Sequence, residues 1–96
     1  MMNILITAAT SAEAHKLKNQ FAHDNVILGD YTELPGFMKI IKLPSPASMS
    51  YAHEMLTLCL DEGIKRLYAL KEDEWRLLNE AKQLFAEYGI ELVHRP

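Results

Sequence analysis

The stretch from residue 3 to residue 17, NILITAATSAEAHKL, has the apolar strand, short turn and helix start on which many α/β proteins bind phosphate. Such a turn normally contains glycines, which let the backbone approach a pyrophosphate, and the helix N-terminus supplies amides and a positive dipole. Here alanines occupy the small positions, so the hydroxyls of Thr7, Thr10 and Ser11 are the groups that could contact an anion. Glu13 would compete for the amides and repel phosphate, and it predicts a capping box with Thr10 as N-cap. A capped helix start is therefore favoured over a phosphate site.

Further polar residues follow the other predicted strands. Asp30 comes about 20 residues after the turn, where a dinucleotide fold places a ribose-binding acid. Without the glycines, a solvated turn aspartate is the favoured interpretation. Because the carboxyl ends of parallel strands meet at one edge of a sheet, any small-molecule site is predicted at this rim. The rim residues are Thr7, Thr10, Ser11, Asp30, Ser45 and Lys71.

Three consecutive acids, Glu72, Asp73 and Glu74, also follow a predicted strand and begin the last helix. Their position at the carboxyl edge is compatible with ligand binding. Stabilisation of the positive helix N-terminus explains them adequately and is the favoured interpretation.

Neither the histidines nor the cysteine predicts a catalytic or metal centre. The four histidines are His15, His23, His53 and His94, and no two of them have the four-residue spacing of a helical metal-ligand pair. The single cysteine, Cys59, falls on the apolar stripe of a predicted helix, so a packed thiol is expected rather than a nucleophile. We therefore predict no metal and no cofactor.

Composition limits the classes of protein to consider. The chain has 96 residues, 49% of them apolar, and a formal net charge of -3. This predicts one domain over residues 1–96 and argues against nucleic-acid binding, which favours a basic surface. No run of 18 apolar residues and no signal peptide is visible, so we expect a cytoplasmic protein without membrane contact.

Hydrophobic periodicity predicts alternating strands and helices. Strands are expected at 4–6, 26–28, 37–43, 67–70 and 91–93, with helices at about 11–22 and 74–88. A further helix is expected between them, capped by either Ser48 or Ser50 and closed by residues 61–63. Gly63 and Gly89 should end the second and third helices at positive φ. A turn-rich link without a helix joins the second and third strands. The lysines of the third strand, Lys39 and Lys42, indicate a sheet edge.

Helical connections between strands require right-handed crossovers and hence a parallel sheet with helices on both faces. The predicted fold is a three-layer, Rossmann-like α/β domain with a five-stranded, mainly parallel sheet in the order 3-2-1-4-5.

This arrangement resembles the pre-ATP-grasp domain, the Rossmann-like unit that precedes the catalytic domains of ATP-grasp ligases such as the carbamoyl phosphate synthase large chain and biotin carboxylase. NILITAATSA stands at that family's first strand and turn, NVILGDY at its second strand, and KIIKLPSP follows a link that replaces a helical crossover. SYAHEMLTLCLDEGIKRLYALKEDEWRLLNEAKQLFAEYGIELV is similar to the remaining helix, strand, helix and strand. In the family, ATP and magnesium are held by domains that would begin near Pro96. The resemblance therefore implies that this chain lacks the ligase machinery.

Two functions from different classes remain open. The favoured hypothesis is a non-catalytic, stand-alone pre-ATP-grasp-like module that binds a small ligand or a protein, including a second copy of itself. Trp75 and Tyr68 are candidates for an apolar contact surface, although core packing explains either equally well. The alternative is an enzyme that binds a nucleotide or sugar nucleotide at the rim.

Overall fold

The apolar runs of the sequence form one sheet in the computed structural model, which describes residues 2–21, 23–35 and 40–94. The elements along the chain are β1 (Asn3–Ile6), α1 (Ala12–Gln20), β2 (Asn25–Asp30), β3 (Ile41–Lys42), α2 (Tyr51–Asp61), β4 (Ile64–Tyr68), α3 (Glu72–Asn79), α4 (Lys82–Glu87) and β5 (Glu91–Val93). No helix among the described residues has the length and apolar character needed to cross a bilayer.

The sheet has the order β3-β2-β1-β4-β5, and every strand pair is parallel. This confirms the predicted Rossmann-like α/β fold and its strand order. The strand β3 lies at an edge, as its lysines indicate, but it contains only Ile41 and Lys42. Most of the remaining predicted strand, residues 37–39, lies outside the described residues.

Helices cover both faces of the sheet because successive strand residues point to opposite sides. On one face, Ile4 and Ile6 pack with α1 through residues such as Leu17. On the other face, Leu5 and Leu67 belong to a larger core to which α2, α3 and α4 contribute. Within the residues that the structure describes, a single helix thus covers one face and three helices cover the other.

The two glycines that were predicted to end helices adopt the predicted backbone conformation. Gly63 and Gly89 have φ of 66° and 76°, as predicted. β4 begins at Ile64, directly after the first glycine, rather than at Leu67. Tyr68 is 6% exposed and contacts the Phe21 ring, so the suggestion that it forms a docking surface is wrong.

The predicted helix over 74–88 is wrong as a single element, since the structure has α3 and α4 with a break at Glu80 and Ala81. The Ala81 amide donates to the carbonyl of Leu78, three residues back, instead of continuing the α-helical pattern. Tyr88, the residue directly after α4, is 52% exposed.

The start of α1 also differs from prediction. Ser11, not Thr10, is the N-cap, and its Oγ accepts from the Ala14 amide at 3.1 Å. Thr10 lies outside the helix and is exposed. The capping serine therefore satisfies one helix-end amide. The predicted capping box between Thr10 and Glu13 is wrong, because with Ser11 as N-cap the third helical position is Ala14, which has no side-chain acceptor to reach back.

Candidate functional site

The side of the sheet on which successive strands are added changes between β1 and β4. From β1 the chain adds β2 and β3 on one side, and then it crosses to β4 and β5 on the other. Ligands of open α/β sheets bind at such a switch point, outside the carboxyl ends of the strands. Two segments border it here: the turn after β1, residues 7–11, and the link after β4, residues 69–71.

The turn after β1 is closed by its own hydrogen bonds. Ala9 donates its amide to the carbonyl of Gly29 at 3.2 Å, and Ser11 donates to Ala8 at 2.9 Å. Ala8 has φ of 53°, a left-handed conformation that glycine adopts at lower cost. The backbone thus has the bend of a glycine-rich turn, but amides that could hold a phosphate are bonded within the protein.

Thr7 ties the two segments together across the switch point. It is fully buried, and its amide donates to the carbonyl of Tyr68 at 3.0 Å. Its Oγ1 accepts from the amide of Leu70 at 2.9 Å. This hydroxyl therefore serves as a fixed connection between the ends of β1 and β4.

Asp30 and Lys71 approach each other beside this connection. Asp30 Oδ1 accepts from the amide of Thr32 at 3.0 Å and from its hydroxyl at 2.9 Å, and Lys71 Nζ lies 3.7 Å away. Asp30 is 3% exposed, so the expectation of a solvated turn aspartate is wrong. Burial by itself raises the pKa of this carboxyl, but the Thr32 hydrogen bonds and the Lys71 charge outweigh it and leave the pKa below its usual value.

Lys71 is held from a second direction by an aromatic ring. Its Nζ lies 4.1 Å from the centroid of the Tyr31 ring, in a cation–π contact. One third of the side chain remains accessible to solvent. Lys71 is therefore oriented by Asp30 and Tyr31 and can still be reached from outside.

Glu74 is the site residue that the sequence interpretation assigned to helix-dipole stabilisation instead of to the predicted rim site. It is fully buried, and Tyr51 donates its hydroxyl to Oε2 at 3.2 Å, whereas Oε1 has no hydrogen-bond partner among the described residues. Burial raises the pKa of this carboxyl, and the Thr7 and Tyr51 hydroxyls and the Lys71 charge offset only part of that effect. The available signal was periodicity, since Glu74 precedes buried Leu78 by one helical turn.

The remaining rim residues do not join this group. Ser45 is exposed, and its Oγ accepts from the amide of Ala47 at 3.1 Å. Thr10 is exposed and Ser11 caps α1. We call the residues that do converge the switch-point cluster: Thr7, Asp30, Lys71 and Glu74.

The histidines and Cys59 lie apart from the cluster's polar contacts. No group of three or more metal-ligating side chains occurs within residues 2–21, 23–35 and 40–94. His94 stacks on Trp75 with ring centroids 4.8 Å apart, and its Nε2 lies 3.1 Å from Glu72 Oε2. Cys59 is buried, and burial raises the pKa of its thiol to about 12, as expected of a packed thiol.

Two surface recesses lie away from the cluster. One, of about 380 Å³, is formed by α4, the following turn and β5, and the other, of about 260 Å³, lies at the end of α1. Neither is lined by a residue of the switch-point cluster. Comparison of the sequence with protein-family models and with curated proteins finds no match.

Proposed function

We propose that this chain is a non-catalytic, small-ligand-binding domain of the pre-ATP-grasp type, with its ligand held at the switch-point cluster. The observation that carries the proposal is the fully buried Glu74 carboxyl at the carboxyl edge of the sheet, whose Oε1 has no hydrogen-bond partner within the described part of the chain. A buried polar atom without a partner costs about 1–3 kcal/mol, so its retention favours a role beyond packing.

The position of the cluster gives independent support. Asp30 is the last residue of β2, Thr7 follows β1 and Lys71 follows β4, so three adjacent strands contribute to one place. A perturbed titratable group at such an edge is typical of binding sites. Lys71 and Tyr31 would border a ligand on the solvent side, because both remain partly accessible.

The charges favour a neutral ligand rich in hydroxyl or amide groups, such as a nucleoside or a sugar. The cluster contains one cation, Lys71, against the carboxyls of Asp30 and Glu74, and Glu72 and Asp73 lie beside it. A phosphate would meet this acidic surround, and its usual amides after β1 are occupied by Gly29 and Ala8. A hydroxyl can donate to a carboxylate and accept from the Lys71 ammonium.

A thermal-shift panel tests the proposal. Its neutral arm contains nucleosides, monosaccharides and small amides, and its anionic arm contains ATP, ADP, NAD and inorganic phosphate, with and without magnesium. A ligand present at 100 times its Kd stabilises the folded state by about 2.7 kcal/mol. For a domain of this size the melting temperature should rise by roughly 10 °C or more.

Matched variants locate the binding. Asp30→Asn and Lys71→Met should abolish the shift, whereas the exposed Asp61→Asn and Lys65→Met should retain it. A panel without any shift would contradict ligand binding. A shift with the anionic arm alone would contradict the neutral ligand class and favour the nucleotide-binding alternative.

A further inference from the structure

Lys71 and Glu74 stand at the two positions that meet in a helix capping box. Lys71 is the N-cap of α3, and Glu74 is the third residue of that helix. The side chain of the third residue ordinarily turns back toward the N-cap, and a lysine has a long flexible stem. The charge of Lys71 acts on the Glu74 carboxyl across this short separation. A rotation of the Lys71 side chain alone would therefore bring its ammonium to that carboxyl.

The present contact between Lys71 and Asp30 involves no hydrogen bond. Lys71 Nζ lies 3.7 Å from Asp30 Oδ1, which is longer than a hydrogen bond. Among the described residues no acceptor lies within hydrogen-bond distance of Nζ. Asp30 Oδ1 meanwhile accepts from the amide of Thr32 at 3.0 Å and from its hydroxyl at 2.9 Å. Lys71 can therefore leave Asp30 without breaking a hydrogen bond, and Asp30 keeps those that it has.

The Glu74 carboxyl has one oxygen available to receive this ammonium. Tyr51 donates its hydroxyl to Oε2 at 3.2 Å, whereas Oε1 has no hydrogen-bond partner within the described residues. The two neighbouring acids already have partners. Asp73 Oδ1 accepts from the Glu74 amide at 2.8 Å, and Glu72 Oε2 lies 3.1 Å from His94 Nε2. Of the acids that begin α3, Glu74 is therefore the one that offers a new acceptor.

The groups that face Glu74 determine when it needs that partner. Tyr51 on α2 and Thr7 after β1 offer it hydroxyls. Lys71 contributes a positive charge and Asp73 a negative one. Burial holds the pKa of the Glu74 carboxyl above its usual value, and the Asp73 charge acts in the same direction. The protonated carboxyl needs no counter-ion, but once it is ionised in a buried place it has to be paired with a positive charge.

We propose that Lys71 exchanges Asp30 for Glu74 when the Glu74 carboxyl loses its proton, so that the switch-point cluster holds its ligand only while Glu74 is protonated. The proton passes to water, and the ammonium turns inward to Oε1. It then leaves the Tyr31 ring and no longer borders a ligand on the solvent side. Glu74 is thus a positioning residue that acts through Lys71. The ligand part of the proposal rests on the proposed function, whereas the change of partner does not.

NMR of the ligand-free chain, labelled with ¹³C at the lysine Cε, tests the change of partner. Because Lys71 Nζ lies 4.1 Å from the centroid of the Tyr31 ring, the adjacent Cε protons should have a ring-current shift. As the pH rises from about 4.5 to about 8, the unaltered chain should lose this shift, since the ammonium moves to Glu74. Glu74→Gln cannot ionise and should keep the shift throughout. Lys71→Arg identifies the resonance by its absence.

The control for this experiment is Glu80→Gln, at an exposed position after α3, which should follow the unaltered chain. Circular dichroism confirms that each variant is folded. A Lys71 resonance that does not respond to pH would overturn the proposal. So would a response of the same size in Glu74→Gln, since it would then arise from another titrating group.

Calorimetric titration with adenosine, glucose and acetamide, one compound from each class of the neutral arm, tests the ligand part. For a compound that binds, the Kd of the unaltered chain should rise about tenfold or more between about pH 4.5 and about pH 8. The Kd of Glu74→Gln should remain nearly constant. Equal affinity of the unaltered chain at both pH values would overturn the ligand part. If no compound binds at either pH, that part fails together with the proposed function, whereas the NMR result still decides the change of partner.

Discussion

At the scale of single residues, Glu74 is the most informative position in the chain. A carboxyl that is fully buried, hydrogen bonded by Tyr51 through one oxygen only and raised in pKa is costly to keep. Because Glu72 and Asp73 precede it in the sequence, stabilisation of the helix N-terminus was a sufficient explanation for all three acids. The direction in which the third acid points depends on the phase of α3, which becomes clear only when Leu78 is placed in the core.

Replacing Glu74 should change how stability depends on pH. The pKa of this carboxyl is raised in the folded state above its ordinary value of 4.5. Its contribution to the free energy of unfolding is therefore fully present below that value and is lost as pH rises through the folded pKa. Glu74→Gln stays neutral, so we expect the variant to gain stability relative to the unaltered protein as pH increases.

Urea unfolding from about pH 4.5 to about pH 8 measures this difference. Glu80→Gln, at an exposed position after α3, is the control and should follow the unaltered chain. Parallel curves for Glu74→Gln and the unaltered protein would show that Glu74 ionises in the folded state as readily as in the unfolded one.

At the scale of elements, local signals predicted strand and helix types better than their exact ends. Ser11 instead of Thr10 caps α1 because the turn after β1 takes one more residue. The break between α3 and α4 contains neither proline nor glycine, so the sequence carried no local indication of it. The burial of Asp30 near Lys71 joins residues 41 positions apart and could not be inferred from spacing alone.

The cap of α1 gives a direct comparison of two adjacent residues. Ser11→Ala removes the acceptor for the Ala14 amide and should lower the free energy of unfolding by about 1 kcal/mol. Thr10→Ala, one position earlier and exposed, should change it by less than about 0.5 kcal/mol. Denaturant unfolding of both variants measures the two losses in free energy of unfolding. A larger loss for Thr10→Ala than for Ser11→Ala would place the cap at Thr10.

Alanine substitutions at two glycines distinguish the cost of an unfavourable backbone conformation from the cost of steric contact. Gly89→Ala puts a side chain at φ of 76° with open space around it and should cost about 1 kcal/mol. At Gly29 a Cβ would lie 2.7 Å from Leu43 Cδ2, in a buried part of β2, so Gly29→Ala should cost about 1–3 kcal/mol through overpacking.

The double variant Gly29→Ala with Leu43→Ala provides the check on that cause. If the contact is responsible, the two changes together should destabilise by less than the sum of their separate effects. If the two losses in free energy of unfolding are additive, the cost of Gly29→Ala arises within β2 itself and not from contact with the Leu43 side chain.

At the scale of the whole molecule, the sheet could be predicted and the site only in part. The apolar strands β1 and β2, the lysine of β3 and the helical connections were enough for the order 3-2-1-4-5. Sheet topology then placed Thr7, Asp30 and Lys71 at one edge. The same argument included Ser45 and Thr10, which the structure leaves in exposed loops, since topology fixes where strands end but not how loops fold.

The central claim is that this edge binds a small neutral ligand, and an NMR titration of the isotope-labelled chain with the neutral arm of the panel tests it most directly. The account predicts that at least one compound shifts the amides of Leu70, Lys71 and Glu74 and the indole of Trp75, the only tryptophan of the chain. Shifts confined to the recess beside β5 or to the end of α1, or no shift with any compound, would contradict it.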